Sequence, residues 1–143
     1  MKLWTEDVPK AEVEAEISSF FQALRRGDLK LARNSVTHHS DDWEHQIWSL
    51  WQDTWLIVLE DRDEEVADES FLGGLWRSDR SWLQSIDIED SFHWDDVGER
   101  AQPDASVYVN IICDGVVTDV SAEFSVVRVD GGLALRRDRI TRI

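Results

Sequence analysis

Hydrophobic and polar residues alternate along the last third of the chain, residues 106–143, with the period of two that a β-strand imposes. The alternation is broken at Asp114–Gly115 and at Asp130–Gly132, two segments whose residues readily adopt the backbone angles of tight turns. The pattern predicts three consecutive antiparallel strands joined by these turns. Such a meander has one apolar face and is not stable alone, so the preceding residues must cover that face.

Two amphipathic helices are predicted near the start of the chain. The first follows Pro9, which suits an early helical position, and ends before Gly27. The second is shorter and runs from Asp28, its N-cap, to about Val36. The apolar positions of the first helix have helical spacing and are Val13, Ile17, Phe20, Phe21 and Leu24.

A third and longer helix is predicted over Trp43–Leu59. Asp41 can serve as its N-cap, and Glu44 stands three residues later, as in a capping box. A wide apolar stripe indicates that one side of this helix faces the core. The stripe contains Trp43, Ile47, Trp48, Leu50, Trp51, Trp55, Val58 and Leu59.

The middle of the chain is less regular. A charge run covers residues 61–69, and apolar residues between Val66 and Trp76 indicate a helix that is interrupted or ended at Gly73–Gly74. Alternation over Ser85–Trp94 predicts a fourth strand. We therefore expect a single α+β domain over residues 1–143, with N-terminal helices packed on a curved antiparallel sheet of about four strands.

Composition is typical of a globular domain. The chain has 143 residues, 42% of them hydrophobic and eight of them tryptophan, which argues against disorder. No stretch approaches the roughly 20 apolar residues of a membrane span, and residues 1–9 lack the pattern of a secretory signal. The single cysteine, Cys113, is expected to be a buried apolar residue. We expect a soluble cytoplasmic protein.

The charge is strongly negative, with 30 acidic and 15 basic residues and a net charge of -15. A nucleic-acid-binding protein needs a basic surface, so this class is excluded. Three interpretations of the acidity stand: a solvated surface that maintains solubility, a basic protein partner, and adaptation to high salt.

Two segments carry a resemblance to a known family. Phe20–Leu29, the end of the first helix and the turn after it, resembles the start of the nuclear transport factor 2-like superfamily, also called cystatin-like, which includes ketosteroid isomerase and polyketide cyclase-type members. Ala122–Leu133 is similar to the final hairpin of that superfamily. The resemblance implies a cone-like α+β fold, cofactor-independent chemistry on small hydrophobic substrates in some members, and pairing of two subunits through the sheet.

The chain departs from the family pattern after its second helix. The family normally places a short strand pair there, often with a catalytic aspartate, whereas Val36–Leu59 is predicted to be a polar loop and a tryptophan-rich helix. No catalytic residue is therefore carried over from the resemblance.

Two carboxylates stand among apolar positions and are candidates for acid-base chemistry. In the alternation of the predicted fourth strand, Asp90 occupies a position on the same face as the apolar residues. A regular strand would point its side chain inward, whereas a bulge would turn it outward. Glu44 lies within the tryptophan stripe, unless it only completes the capping box. A carboxylate among aromatic rings has a raised pKa and can act as a general acid or base, with Tyr108 as a candidate hydrogen-bond donor.

Arginine residues of the last predicted strand supply the opposite charge. Arg137 and Arg139 share one face and Arg136 lies on the other, so a regular strand sends at least one arginine inward. An inward arginine would form a structural ion pair with Glu44 or Asp90, or it would bind an anionic ligand group in a cavity. The ligand-binding candidates are Trp48, Trp51, Trp55, Trp94 and Arg137, because large flat rings can line such a cavity.

The segment before the third helix contains a cluster of potential metal ligands: His38, His39, Asp41, Asp42 and His45. Their spacing matches no zinc signature, and adjacent histidines seldom face one ion. We therefore expect a polar loop and helix cap here, with no metal and no cofactor.

The sequence supports three functional hypotheses. The first is a non-catalytic domain that binds a small apolar ligand or a partner protein in an aromatic-lined concavity. The second is a cofactor-independent isomerase, dehydratase, cyclase or hydrolase for a small hydrophobic substrate, with Glu44 or Asp90 as the acid-base group. The third is an acidic inhibitor or immunity-type protein for a basic partner.

A homodimer through the sheet is also expected, because the outward apolar residues of the sheet would otherwise contact water: Ile112, Val117, Val127 and Val129.

Overall fold

The computed structural model of the protein describes residues 1–61 and 81–142. Within these ranges, α-helices pack against a strongly curled antiparallel sheet, so the predicted α+β class is confirmed. The helix predicted between Val66 and Trp76 and most of the charge run at 61–69 lie outside the described residues. The long strands of the sheet are β4 (Ile86–Trp94), β6 (Ser106–Cys113), β7 (Val116–Val129) and β8 (Gly132–Arg142).

The predicted meander is present, with neighbouring strands in the order β8, β7, β6 and β4. Asp114 and Gly115 have φ angles of 50° and 80° and form the tight turn between β6 and β7. Cys113, just before this turn, is fully buried, as predicted.

The described ranges also contain four strands of only two residues. They are β1 (Leu3–Trp4), β2 (Val8–Pro9), β3 (Thr37–His38) and β5 (Arg100–Ala101). The strands β1 and β3 both pair with β8, the first antiparallel and the second parallel, so the sheet has more strands than the four predicted. A strand of two residues has no detectable alternation, and the sequence pattern therefore predicted none of the four.

The three N-terminal helices are α1 (Lys10–Arg25), α2 (Leu29–Asn34) and α3 (Trp43–Asp61), close to their predicted bounds. The Asp28 carboxylate caps α2 by accepting a hydrogen bond from the Leu31 backbone N–H at 3.1 Å. At α3, the Gln46 N–H donates to the carbonyl of Asp42 at 2.9 Å, so Asp42 rather than Asp41 is the N-cap. None of the helices in the described ranges has the length and apolar content needed to span a membrane.

Aromatic side chains fill the space between the helices and the sheet. Phe20 lies at the centre, in edge-to-face contact with Phe21, Trp43 and Phe124 at ring-centroid distances of 5.2, 6.0 and 5.6 Å. Such contacts favour aromatic pairs beyond the burial of their area. Trp51 belongs to the same core and is only 2% exposed.

β-bulges in two strands alter which residues face this core. In β8, Arg137 pairs with Phe124 and Arg139 pairs with Glu123, so Asp138 is an extra residue. After Arg137, the next side chain of β8 that is buried is therefore that of Ile140, whereas Arg139 is exposed. The prediction that Arg137 and Arg139 share a face is wrong. In β4, the register shifts between Ile88 and Phe92 and leaves Asp90 exposed.

We predict that Gly132 is indispensable for the junction between β1 and β8. It has a φ angle of 143°, and a Cβ atom added there would collide with the carbonyl oxygen of Trp4. Gly132→Ala should lower the free energy of unfolding by about 3 kcal/mol, measured by urea denaturation.

Gly115→Ala is the matched control, because Gly115 also has a positive φ angle but faces open space. It should cost only about 1 kcal/mol. Equal destabilisation by the two substitutions would contradict the close contact between Gly132 and Trp4.

Candidate functional site

The most highly organised polar group in the described structure is the side chain of Arg137, which is fully buried. Its Nε–H donates to His38 Nδ1 at 2.9 Å, and its Nη1 group donates to Gln46 Oε1 at 3.0 Å. Its Nη2 group donates to the Asp42 carboxylate at 2.6 Å and to the Ser40 carbonyl at 3.3 Å. A buried charge is tolerated when its hydrogen-bonding groups are satisfied in this way.

The acceptors for Arg137 come from one continuous segment, residues 38–46, which comprises the end of the connection between α2 and α3 and the first turn of α3. The parallel pairing of β3 with β8 places His38 directly beside Arg137. The backbone N–H of His39 also donates to the Arg137 carbonyl at 3.0 Å. Backbone and side-chain contacts at the same residue therefore hold this segment on the sheet.

Gln46 connects the cluster to the core. Its Oε1 atom accepts hydrogen bonds from both Arg137 and the Ile140 backbone N–H, the latter at 2.7 Å. Gln46 is buried, although it lies outside the predicted apolar stripe of α3. A polar residue on a helix is ordinarily expected to face water, so no sequence signal identified it.

The charge of Arg137 changes the protonation of its carboxylate partner. Burial alone would raise the pKa of Asp42, but the hydrogen bond and positive charge of Arg137 outweigh it and hold the pKa below the usual value. Asp42 therefore stays ionised near neutral pH and balances the buried guanidinium.

The structure gives the inward arginine a partner different from those expected. Arg137 pairs with Asp42, and not with Glu44 or Asp90. Glu44 is exposed in the first turn of α3, and Asp90 is exposed in the β4 bulge. Tyr108 lies on the outer face of β6, stacked on His93 at 4.6 Å. The three candidates for catalysis thus occupy three separate places.

The four tryptophans predicted to bind a ligand differ in their surroundings. Trp51 is in the core, whereas Trp48 is 36% exposed and stacks on His45 at 6.2 Å. Trp55 is half-buried, and Trp94 is half-buried with the Lys10 ammonium 5.0 Å from the centre of its ring. Of these rings, that of Trp94 borders an open depression that also contains Tyr108.

Open depressions occur on the surface instead. One of about 220 Å³ lies between α1 and β4, with Phe21 and Phe92 as its apolar part and Asp90 on its rim. Another, of about 320 Å³, is bordered by Tyr108 and Glu123 on the outer face of the sheet. Each combines a few apolar atoms with charged groups, which suits contact with a polar surface better than an apolar ligand.

Two of the five potential metal ligands belong to the arginine site. His38 and Asp42 both point their side chains at Arg137, and Asp41 pairs with Arg33 at 3.3 Å. Among the residues that the structure describes, no three histidine, cysteine or carboxylate side chains are grouped to hold a metal ion.

A second charged feature is a run of acidic residues along β4 and the loop after it, which we call the acidic β4 surface. The segment 87–99 has six carboxylates and no lysine or arginine: Asp87, Glu89, Asp90, Asp95, Asp96 and Glu99. Arg25 pairs with Asp87 at 3.5 Å and Lys10 with Asp96 at 2.7 Å. For the remaining four, the described part of the chain provides no cation.

Comparisons of the chain with protein-family models, curated proteins and solved structures found no match. The fold class, helices packed on a curled antiparallel sheet, is compatible with the nuclear transport factor 2-like superfamily. The function of the chain is therefore inferred from the contacts of its own described residues.

We predict that Asp42→Asn destabilises the fold by about 2 kcal/mol in urea denaturation near neutral pH. Losing one partner of a fully buried ion pair costs roughly 3–5 kcal/mol, and the smaller value reflects the Asp42 side chain, which is 35% exposed. The folded state lowers the pKa of Asp42 below about 3.9, the ordinary pKa of an aspartate. The stabilisation is therefore complete above about pH 3.9, and it is lost as the pH falls through the lowered pKa of the folded state.

Asp41→Asn is the matched control. The Asp41 side chain is 94% exposed, and its pair with Arg33 should contribute less than about 0.5 kcal/mol. If the two substitutions destabilise the protein equally, Asp42 is not the counter-charge that the buried arginine requires.

Proposed function

We propose that the protein is a protein-binding domain that holds a basic partner on its acidic β4 surface. The observation that carries this proposal is the run of six carboxylates over residues 87–99, which contains no lysine or arginine. Four of the six have no cation partner in the described ranges, and two of these four, Glu89 and Asp95, accept hydrogen bonds from Asn110 and from the Ser106 backbone N–H. Charges of one sign on a surface accelerate encounter with a partner of the opposite sign.

The position of β4 supports this interpretation. It is the last strand of the sheet on the side opposite β1, and it pairs only with β6 among the described strands. Its bulge turns Asp90 outward, next to Glu89. A partner can therefore approach these carboxylates without unfolding any part of the sheet.

The packing of the core favours a surface site over an internal one. Between α3 and the sheet, Ile47 and Leu50 are fully buried and Trp51 nearly so. These side chains pack in the core that lies between the helices and the sheet. Glu44 and Asp90 are both exposed, Glu44 on α3 and Asp90 on β4, which likewise supports binding rather than acid-base chemistry.

We further propose membership in the nuclear transport factor 2-like superfamily, supported by the order of the elements, helices first and a curled sheet last. The cytoplasmic location stays a prediction from the sequence.

The first test measures binding of a short arginine-rich peptide by fluorescence anisotropy at low and at physiological salt. A triple variant, Glu89→Gln, Asp90→Asn and Glu99→Gln, removes three charges of the β4 surface. It should weaken binding at least about tenfold, and added salt should weaken binding to the unmodified protein.

A second triple variant removes the same number of charges elsewhere: Asp41→Asn, Glu60→Gln and Asp130→Asn. All three residues are exposed. It should change the affinity by no more than roughly twofold. Equal weakening by both variants would mean that the peptide responds to the net charge alone, and the proposed surface would be wrong.

A separate prediction concerns the homodimer. Val117 is 59% exposed on the outer face of β7, beside Ile112 of β6. If two subunits pair through this face, sedimentation at micromolar concentration should show a dimer, and Val117→Lys should give a monomer. Val97→Lys, at a residue 98% exposed in the loop after β4, should leave the dimer intact. A monomeric unmodified protein would contradict the prediction.

A further inference from the structure

The hydrogen bonds of His38 determine its protonation state. Its Nδ1 atom accepts from the Arg137 Nε–H at 2.9 Å, and an arginine N–H cannot act as an acceptor. Its Nε2 atom lies 2.8 Å from the Arg33 carbonyl, which can only accept, so Nε2 carries the proton. The contact geometry therefore requires a neutral imidazole with its hydrogen on Nε2.

A second proton on His38 is incompatible with this arrangement. It would occupy Nδ1, so two N–H groups would face each other across 2.9 Å and two positive charges would be adjacent. Arg137 cannot relieve the conflict by losing its own proton, because a guanidinium stays charged in proteins. It also has no access to water, since its side chain is fully buried.

The groups around His38 come from each element packed against it. Arg33 of α2 presents its carbonyl and its positive charge, Arg137 of β8 presents its guanidinium, and Asp42 before α3 presents the carboxylate. Within the connecting segment, the neighbouring His39 is exposed, and Asp41 is paired with Arg33. The ring of Trp43 meets the imidazole edge-on at 5.4 Å.

The balance of these groups opposes protonation. Burial lowers the pKa of His38 most, and the charges of Arg137 and Arg33 lower it further. The hydrogen bond to the Arg33 carbonyl and the charge of Asp42 act in the opposite direction but do not cancel the effect. An imidazole in the opened segment would have an ordinary pKa near 6.5, so protons bind the open form more tightly.

We propose that His38 and Arg137 form an acid-sensitive latch, in which a proton on His38 releases residues 37–42 from β8 while the long strands of the sheet stay paired. The protein would thus have a second conformation at mildly acidic pH, in which Arg137 and the start of α3 become accessible.

The contacts that would open are few and local. Residues 37–42 are held on β8 by the two-residue strand β3, by the Thr37 hydroxyl, which donates to the Leu135 carbonyl at 3.2 Å, and by the contacts of Arg137. In contrast, β7 pairs with β8 from Val120↔Arg142 to Val129↔Gly132, over the whole length of β8. Local opening needs far less free energy than separation of that ladder.

The direction of the pH effect is set by the lowered pKa. The latch is fully closed above about pH 6.5, and it weakens as the pH falls from there towards the folded-state value. Over that interval the open fraction rises up to about tenfold for each pH unit. Asp42 does not share in this transition, because its pKa is already below the usual value for an aspartate.

Amide hydrogen exchange measures the opening. The His39 N–H bonds to the Arg137 carbonyl, so its protection factor reports the closed latch. Between about pH 7 and pH 5 this factor should fall, by up to about tenfold for each pH unit below about 6.5, while amides of β6 and β7 keep theirs. Unchanged protection of His39, or an equal loss throughout the sheet, would overturn the proposal.

Two variants separate His38 from its neighbours. His38→Asn keeps an acceptor at the position of Nδ1 but takes up no proton, so the protection of residue 39 should no longer depend on pH. His39→Asn, at the adjacent exposed histidine, should keep the pH dependence. If the pH dependence survives in His38→Asn, the effect belongs to another group and the latch is contradicted.

Nuclear magnetic resonance of the unmodified protein gives a result that does not depend on how well the variants fold. The ¹⁵N shifts of His38 should show a neutral ring protonated at Nε2 with a pKa below the ordinary value of about 6.5. A ring protonated at Nδ1, or a pKa at or above about 6.5, would refute the proposal. The latch does not rest on the proposed binding of a basic partner.

Discussion

The burial of one positive charge, that of Arg137, is the constraint on which the arrangement of the N-terminal half depends. Arg137 lies on the side of β8 that faces the helices, where its guanidinium cannot contact water. A carboxylate, an amide oxygen, a carbonyl and an imidazole must then be brought to it. The route of the chain between α2 and α3, the N-cap of α3 and the parallel pairing of β3 all serve that single requirement.

Sequence patterns predicted the features that repeat over many residues. The strands β6, β7 and β8 and the helix α3 each contain several periods of alternation or helical spacing, so local errors do not hide them. The same patterns predicted that an arginine of the last strand would point inward. They failed at Arg139, because the extra residue Asp138 reverses the phase and no feature of the sequence marks a bulge.

The partners of the buried arginine could not be predicted from the sequence. His38, Asp42 and Gln46 precede Arg137 by 99, 95 and 91 residues, and they reach it only because a two-residue strand aligns with β8. Polar residues before a helix look the same whether they face water or enclose a charge. The sequence shows a cluster of histidines and aspartates, but the role of this cluster depends on a residue far away in the chain.

The two short strands β1 and β3 have a consequence for the behaviour of the protein at high concentration. An uncovered sheet edge offers unpaired backbone groups to other chains and is a common starting point for aggregation. Here β1 and β3 pair with residues 133–134 and 136–137 of β8 and so cover the first half of its free edge. At the opposite end of the described sheet, the bulge and the negative charges of β4 make regular pairing with another molecule unfavourable. Each of these features reduces the backbone edge that is open to amyloid-like growth.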